Sequence, residues 1–157
     1  MDTARFVSAS FKPREASVAV PALAEFFEEG EAAEWKVRGL TGAELARAKS
    51  ADQTMKNMKT LVEAVATGNN SDAIRKLAGV VDEGTPPDLT YRIQILVDGS
   101  VDPSIDAQQR DVAVRLAEAH PVIFYQLTSR ILELTGEGQE LGKRGNSGKT
   151  TTSATSS

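Results

Sequence analysis

Cysteine is absent from the 157 residues, and histidine and tryptophan occur once each, as His120 and Trp35. The first absence excludes a disulfide scaffold, a zinc–thiolate site and a cysteine nucleophile. A lone histidine between Ala119 and Pro121 has no neighbouring ligand set for a metal and no obvious hydroxyl partner for a triad, so it reads as a bridge between two helices. An excess of positive charge is also missing: 22 acidic residues against 18 basic ones give a net charge of −4. Phosphate binding needs a basic face, so nucleic acid is not an expected partner. No apolar run approaches the roughly 20 residues that span a bilayer, and "MDTARFVSASF" contains no apolar core of a secretory signal. The expectation is a soluble intracellular chain of one domain, long enough to bury roughly two thirds of its unfolded surface without staples.

Aromatic residues make up only 5% of the chain, which gives weight to Phe26, Phe27, Trp35, Phe124 and Tyr125. In "EWKVR", Trp35 and Val37 alternate with Lys36 and Arg38, the period-2 pattern of a half-buried strand. A second strand near Ser17–Val20 is its expected partner, and Pro21 opens a short helix carrying Leu23, Phe26 and Phe27. Thr41-Gly-Ala-Glu44 is a capping box, in which hydroxyl and carboxylate reciprocally satisfy orphan amides. The helix it opens runs to about Ala66, with Ala51, Met55, Met58, Val62 and Val65 on one stripe and Asp52–Lys56 as an i,i+4 pair.

A shorter helix capped by Ser71 follows, with Ile74, Leu77 and Val81 as its buried side. "TPPDLTYRIQILVDG" is ambiguous, because Leu89, Tyr91, Ile93, Ile95 and Val97 alternate as in a strand. Proline in a first turn and Gly99 as a terminal stop favour a helix. Beyond it, Ile105, Val112, Leu116 and Ala119 fall on one face. Pro121 opens a last helix with the stripe Phe124, Leu127, Ile131 and Leu134, closed by Gly136. Val122, Tyr125 and Leu132 widen its apolar arc, placing it at the centre of a bundle or at an interface. The remaining 21 residues hold four glycines, eight Ser/Thr and one large apolar residue, Leu141, and read as a disordered tail. The fold class is therefore mainly α: about five helices with a small N-terminal β element and that tail. Residues 1–40 form the extended and β part with its short helix, 41–136 the helical domain and 137–157 the tail.

No constellation carries chemistry. "GNSGKTT" lacks the first glycine of a phosphate loop, since Lys143 stands there, and no strand precedes it. Asp98, Asp102 and Asp106 do not follow the ligand spacing of a calcium loop; they read as helix-end and capping residues. The acidic segment from Glu28 to Glu34 reads as a solvated face. Catalytic residues, cofactors and metals are accordingly none.

The order of "PALAEFFEEGEAAEWKVRGLTGAELARA" resembles the N-terminal part of tail assembly chaperones of long-tailed bacteriophages. "VDGSVDPSIDAQQRDVAVRLAEAHPVIFYQLTSRILELTGEG" is similar to their C-terminal helices. The resemblance spans about Pro21 to Gly138 and is weakest between Ala66 and Leu89. It implies a helical protein of the host cytoplasm, absent from the mature virion, that keeps the tape-measure protein soluble until tail-tube subunits polymerise around it. It also implies a frameshift-extended form that recruits the tail-tube protein, for which the Gly/Ser/Thr tail is a suitable linker. Repeated binding along one partner favours a homo-oligomer, which would be open if the contact does not close. Phe26, Phe27, Trp35, Met55, Met58, Phe124, Tyr125 and Leu132 are the candidate partner-binding or self-association residues, methionine being suited by its adaptable side chain. A helical adaptor for another protein and a head–tail structural component remain open readings of the same features.

Overall fold

The computed structural model describes residues 1–66 and 87–142. It is mainly helical with a small antiparallel sheet. A short helix α1 (Thr3–Ser8) leads into β1 (Phe11–Lys12) and β2 (Glu15–Ala19). A 3₁₀ turn (Pro21–Phe26) follows, then β3 (Glu34–Arg38) and the long helix α2 (Gly42–Ala66). After the undescribed interval come α3 (Pro87–Gly99), β4 (Ser100–Asp102), α4 (Arg110–Ala119), α5 (Pro121–Gly136) and β5 (Glu140–Leu141). The helix anticipated after Ser71 lies outside the described residues.

The strand pair follows from alternation. β2 and β3 are antiparallel, with Val18 opposite Trp35 and Ala16 opposite Val37. Trp35 and Val37 are buried, while Lys36 on the other face reaches Glu15 at 2.6 Å. β4 joins the far side of β3, so the sheet order is β2-β3-β4. That third strand is a finding beyond the sequence reading. It also means that the first forty residues do not stand apart, because Val37 pairs with Ser100.

The capping box forms, and it has a third member. Thr41 N donates to Glu44 Oε2 at 2.8 Å, and Glu44 N donates to Thr41 Oγ1 at 3.3 Å. Arg38, the last residue of β3, grips the same carboxylate with both terminal nitrogens, at 2.7 and 3.0 Å. Between them Gly39 presses on α5: a Cβ there would stand 3.0 Å from the carbonyl carbon and oxygen of Leu134. Leu40 N then donates to Thr135 Oγ1 at 2.9 Å. Strand, long helix and last helix are thus joined within seven residues.

α3 is a helix, packed against α2, α4 and α5. Burial on nearly every side explains its strand-like alternation: Ile93, Ile95, Leu96 and Val97 are all inside. Gly99 does not act as a positive-φ stop. It is the last helical residue, and a Cβ on it would lie 2.6 Å from the Ile131 side chain. α5 buries Phe124, Leu127, Thr128, Ile131 and Leu134, the expected stripe plus a threonine that bonds the Phe124 carbonyl and accepts from Arg92.

Three sequence expectations need correction. The phase of α4 is displaced: Ala113 and Leu116 are buried and Val112 is exposed. Ile105, which helped to set the expected face, is buried from the loop before the helix and does not fix its rotation. The tail is ordered as far as Gly142, since β5 pairs with β1 (Phe11 opposite Leu141) and Arg14 holds Glu140 at 2.7 Å. Residues 143–157, the rest of the expected disordered tail, lie outside the described residues. α1 was not anticipated; its cap is Asp2, whose carboxylate accepts from Arg5 N at 3.0 Å.

The hydrogen bonds from Arg38, assisted by the Thr41 amide, hold the Glu44 carboxyl at about 2, against an ordinary 4.5. A depressed carboxylate contributes stability that is present above 4.5 and lost as pH falls through 2. Because the pair borders solvent, the contribution is about 1–2 kcal/mol. Glu44→Gln should therefore unfold earlier than the wild type at pH 7 in urea, with the gap closing between pH 4.5 and 2. A gap that is independent of pH would refute this assignment.

Candidate functional site

Two shallow apolar hollows flank the corner between α4 and α5. The larger, of about 880 Å³, has Leu23, Trp35 and Leu116 as its floor and Phe26, Phe27 and Val112 as its walls. Trp35 is fixed there because its indole N–H donates to the buried Ser100 hydroxyl at 3.1 Å, joining β3 to β4. A 3₁₀ turn repeats every three residues, which stacks Leu23 and Phe26 on one edge. Leu23 reaches the core and Phe26 remains 72% exposed; Val112 across the groove is 44% exposed.

The rim of this groove is acidic. Glu31, Asp102 and Asp111 line it against one cation, Arg115, and Glu25, Glu28 and Glu29 stand exposed close by in sequence. Gly30, with φ +88°, supplies the left-handed turn that folds this acidic segment back toward β3.

The second hollow, of about 780 Å³, lies along α5 and is bordered by Val18 of β2 together with Val122, Tyr125, Ser129 and Arg130. Val122 is exposed there. Tyr125 has one ring face covered by the Arg92 guanidinium, 4.6 Å from the ring centre, meets the Phe124 ring edge-on at 5.5 Å, and is 42% exposed. Ala119 and His120 line the first hollow while Pro121 and Val122 line the second, so the two meet at the corner. His120 there connects the helices: its N–H donates to Leu116 O at 2.8 Å and its carbonyl accepts from Phe124 N at 3.0 Å.

The candidate residues divide accordingly. Phe26 and Tyr125 are exposed and border the hollows. Phe27 and Leu132 are half-buried and pack on the core. Trp35 and Phe124 are core residues, and Phe124 has no exposed surface, so it cannot meet a partner of the folded chain. The side chains of Met55 and Met58 lie outside the described residues. Val112 was missed as a surface residue because the wrong helix phase assigned it inward, and Val122, part of the wide apolar arc read for α5, was not among the candidates.

Among the described residues no group of three or more potential metal ligands is brought together, and no helix is long and apolar enough to cross a membrane. Asp106 caps the turn before α4, accepting from Gln108 N and Gln109 N, and Asp98 accepts from Gln94. Comparison with protein-family models, curated proteins and solved structures finds no match.

This division predicts opposite outcomes for two phenylalanines. Phe124→Ala should cost about 3–5 kcal/mol in urea unfolding, as for a fully buried aromatic. Phe26→Ala should change stability by about 0.5 kcal/mol or less. Equal losses at the two positions would contradict the assignment.

Proposed function

We propose that this protein is a tail assembly chaperone of a long-tailed bacteriophage, which holds a tape-measure protein soluble in the host cytoplasm and leaves before the virion is complete. The order of sequence motifs from Pro21 to Gly138 supports the family. The structural observation that carries the binding role is the exposed apolar corner of α4 and α5, with Val122 and Tyr125 open along one helix. A long amphipathic partner is recognised by laying its apolar face into such a groove. The reading assigns no catalytic group, metal or cofactor to the chain. It includes self-association, so that successive copies cover successive stretches of the partner. Tube protein would be recruited through a frameshift-extended form carrying additional sequence beyond the Gly/Ser/Thr tail.

Co-expression with the tape-measure protein encoded in the same gene cluster tests the reading. The partner should become soluble and co-purify, and Val122→Asp with Tyr125→Asp should abolish capture while the chaperone itself stays folded by circular dichroism. A partner that remains insoluble and unbound when both proteins are well expressed would overturn it. In that event the helical-adaptor reading takes its place.

A further inference from the structure

The N-terminal segment and β5 are fastened to each other more than to the rest of the fold. β1 and β5 pack chiefly on one another. Phe11 stands opposite Leu141 and Lys12 opposite Glu140, and Gly142 N donates to Ser10 O at 2.8 Å. α1 buries none of its six residues, and its Phe6 ring meets Phe11 at 5.3 Å between ring centres. A helix of one or two turns and a pair of two-residue strands are not stable in water on their own. Apolar burial adds little, since Phe6, Phe11 and Leu141 are all exposed.

Arg14 ties this unit to the body. Its backbone is fixed by the sheet side, because Gly39 N donates to Arg14 O at 2.8 Å beside the Arg38–Glu44 joint. Its guanidinium is aligned by the end of α5: Nε donates to Gly138 O at 3.1 Å, with Glu137 3.8 Å away. Glu137 and Gly138 themselves stay with α5, their amides bonding Glu133 O and Thr135 O. Gly138, with φ +73°, then turns the chain back toward β1. Held on both sides, Arg14 presents Nη1 to Glu140 of β5 at 2.7 Å. Lys12 and Arg14 thus stand against a single β5 carboxylate. The Arg14–Glu140 contact borders solvent, so it is weak alone and weakened further by salt. A unit held this way opens at a free energy well below that of global unfolding.

We propose that α1, β1 and β5 form a latch, pinned by Arg14 on Glu140, that opens and closes as one unit on a folded body. Closed, it holds residues 1–12 and 139–142 together at the start of β2, and the chain continues from Gly142 beside Ser10. Open, it frees both segments at once, and the chain continues from the end of α5 instead. Ionic strength sets the balance through the Arg14–Glu140 contact. The latch rests on the fold alone and is independent of the chaperone reading.

Amide hydrogen exchange of the full chain, followed by NMR, tests it. Two amides report on the latch from its two sides: Gly142, bonded to Ser10 O, and Ala9, bonded to Phe6 O at the end of α1. Val20, buried and bonded to Ala33 O, reports on the body. Added salt should speed wild-type exchange at Gly142 and Ala9 by one common factor and leave Val20 unchanged. Glu140→Lys, at an exposed position, should speed both latch amides about tenfold at low salt. In that variant the contact is repulsive, so salt should slow the same two amides. Gly142→Pro removes the donor to Ser10 and should speed Ala9, on the opposite segment, without affecting Val20. Wild-type latch amides that exchange as fast as an unstructured chain overturn the proposal. So does an Ala9 rate that ignores Glu140→Lys and Gly142→Pro, or a Val20 rate that rises in step with the other two.

Discussion

The fold turns on the grip of Arg38 on Glu44. The carboxylate does three things at once: it takes both ends of the guanidinium, accepts the Thr41 amide, and so fixes the first turn of α2 against the last residue of β3. A capping box alone would stabilise one helix end. Adding the strand's arginine makes the cap a tertiary joint, because α2 cannot change direction without pulling on the sheet. Gly39 and Leu40, lying inside the loop this grip closes, are pressed onto the end of α5 by backbone proximity and by the Thr135 hydroxyl. The order in which α2, the sheet and α5 meet is decided in these seven residues.

This explains which parts were legible before the structure. Arg38, Thr41 and Glu44 lie close in sequence, so the cap could be read from spacing, although the arginine's part in it could not. The β2–β3 pair was legible because alternation over five residues carries its own signal, and the α5 stripe because four turns of helix sample its period well. β4 and β5 have three and two residues. A strand that short has no period to detect, and its conformation comes from the strand it joins: β3 through Val37 and Lys36, β1 through Phe11 and Lys12. α3 lay between these cases, since a helix buried from several sides loses the polar face that would reveal its period.

The candidate site was less legible than the fold, for a related reason. Whether an apolar residue is core or surface depends on helix phase, and a one-residue error in phase rotates the surface by about 100°. In α4 a smaller displacement suffices: Leu116 is inside as expected, while Val112 and Ala119 are exposed and Ala113 is buried. Phe124 and Tyr125 are adjacent and similar in character, yet one is sealed in the core and the other stands at the surface beneath Arg92. Scarcity of aromatics pointed to the right part of the chain, while only the packing of α5 on its neighbours separates the two.

The same arrangement limits how copies or partners can attach. In the three-stranded sheet β2 and β4 are the edges, and an edge strand is ordinarily a template for strand addition. Here β2 lies between Pro13 and Pro21, and β4 has three residues and is followed by Pro103. Proline offers no N–H to a ladder, and a three-residue edge offers too few bonds to hold a new strand. The β1–β5 pair is shorter still at two residues. With strand addition disfavoured at these edges, the exposed apolar surface is all in side chains: the apolar corner of α4 and α5, the groove beside Trp35, and Phe6 and Val7 of α1. The residues that close the edges, Pro21 and Pro103, also border the groove, Pro21 by starting the turn that carries Leu23 and Phe26 and Pro103 by lining it directly. Disfavouring backbone pairing and building an apolar side-chain surface are, in this fold, accomplished by the same turns.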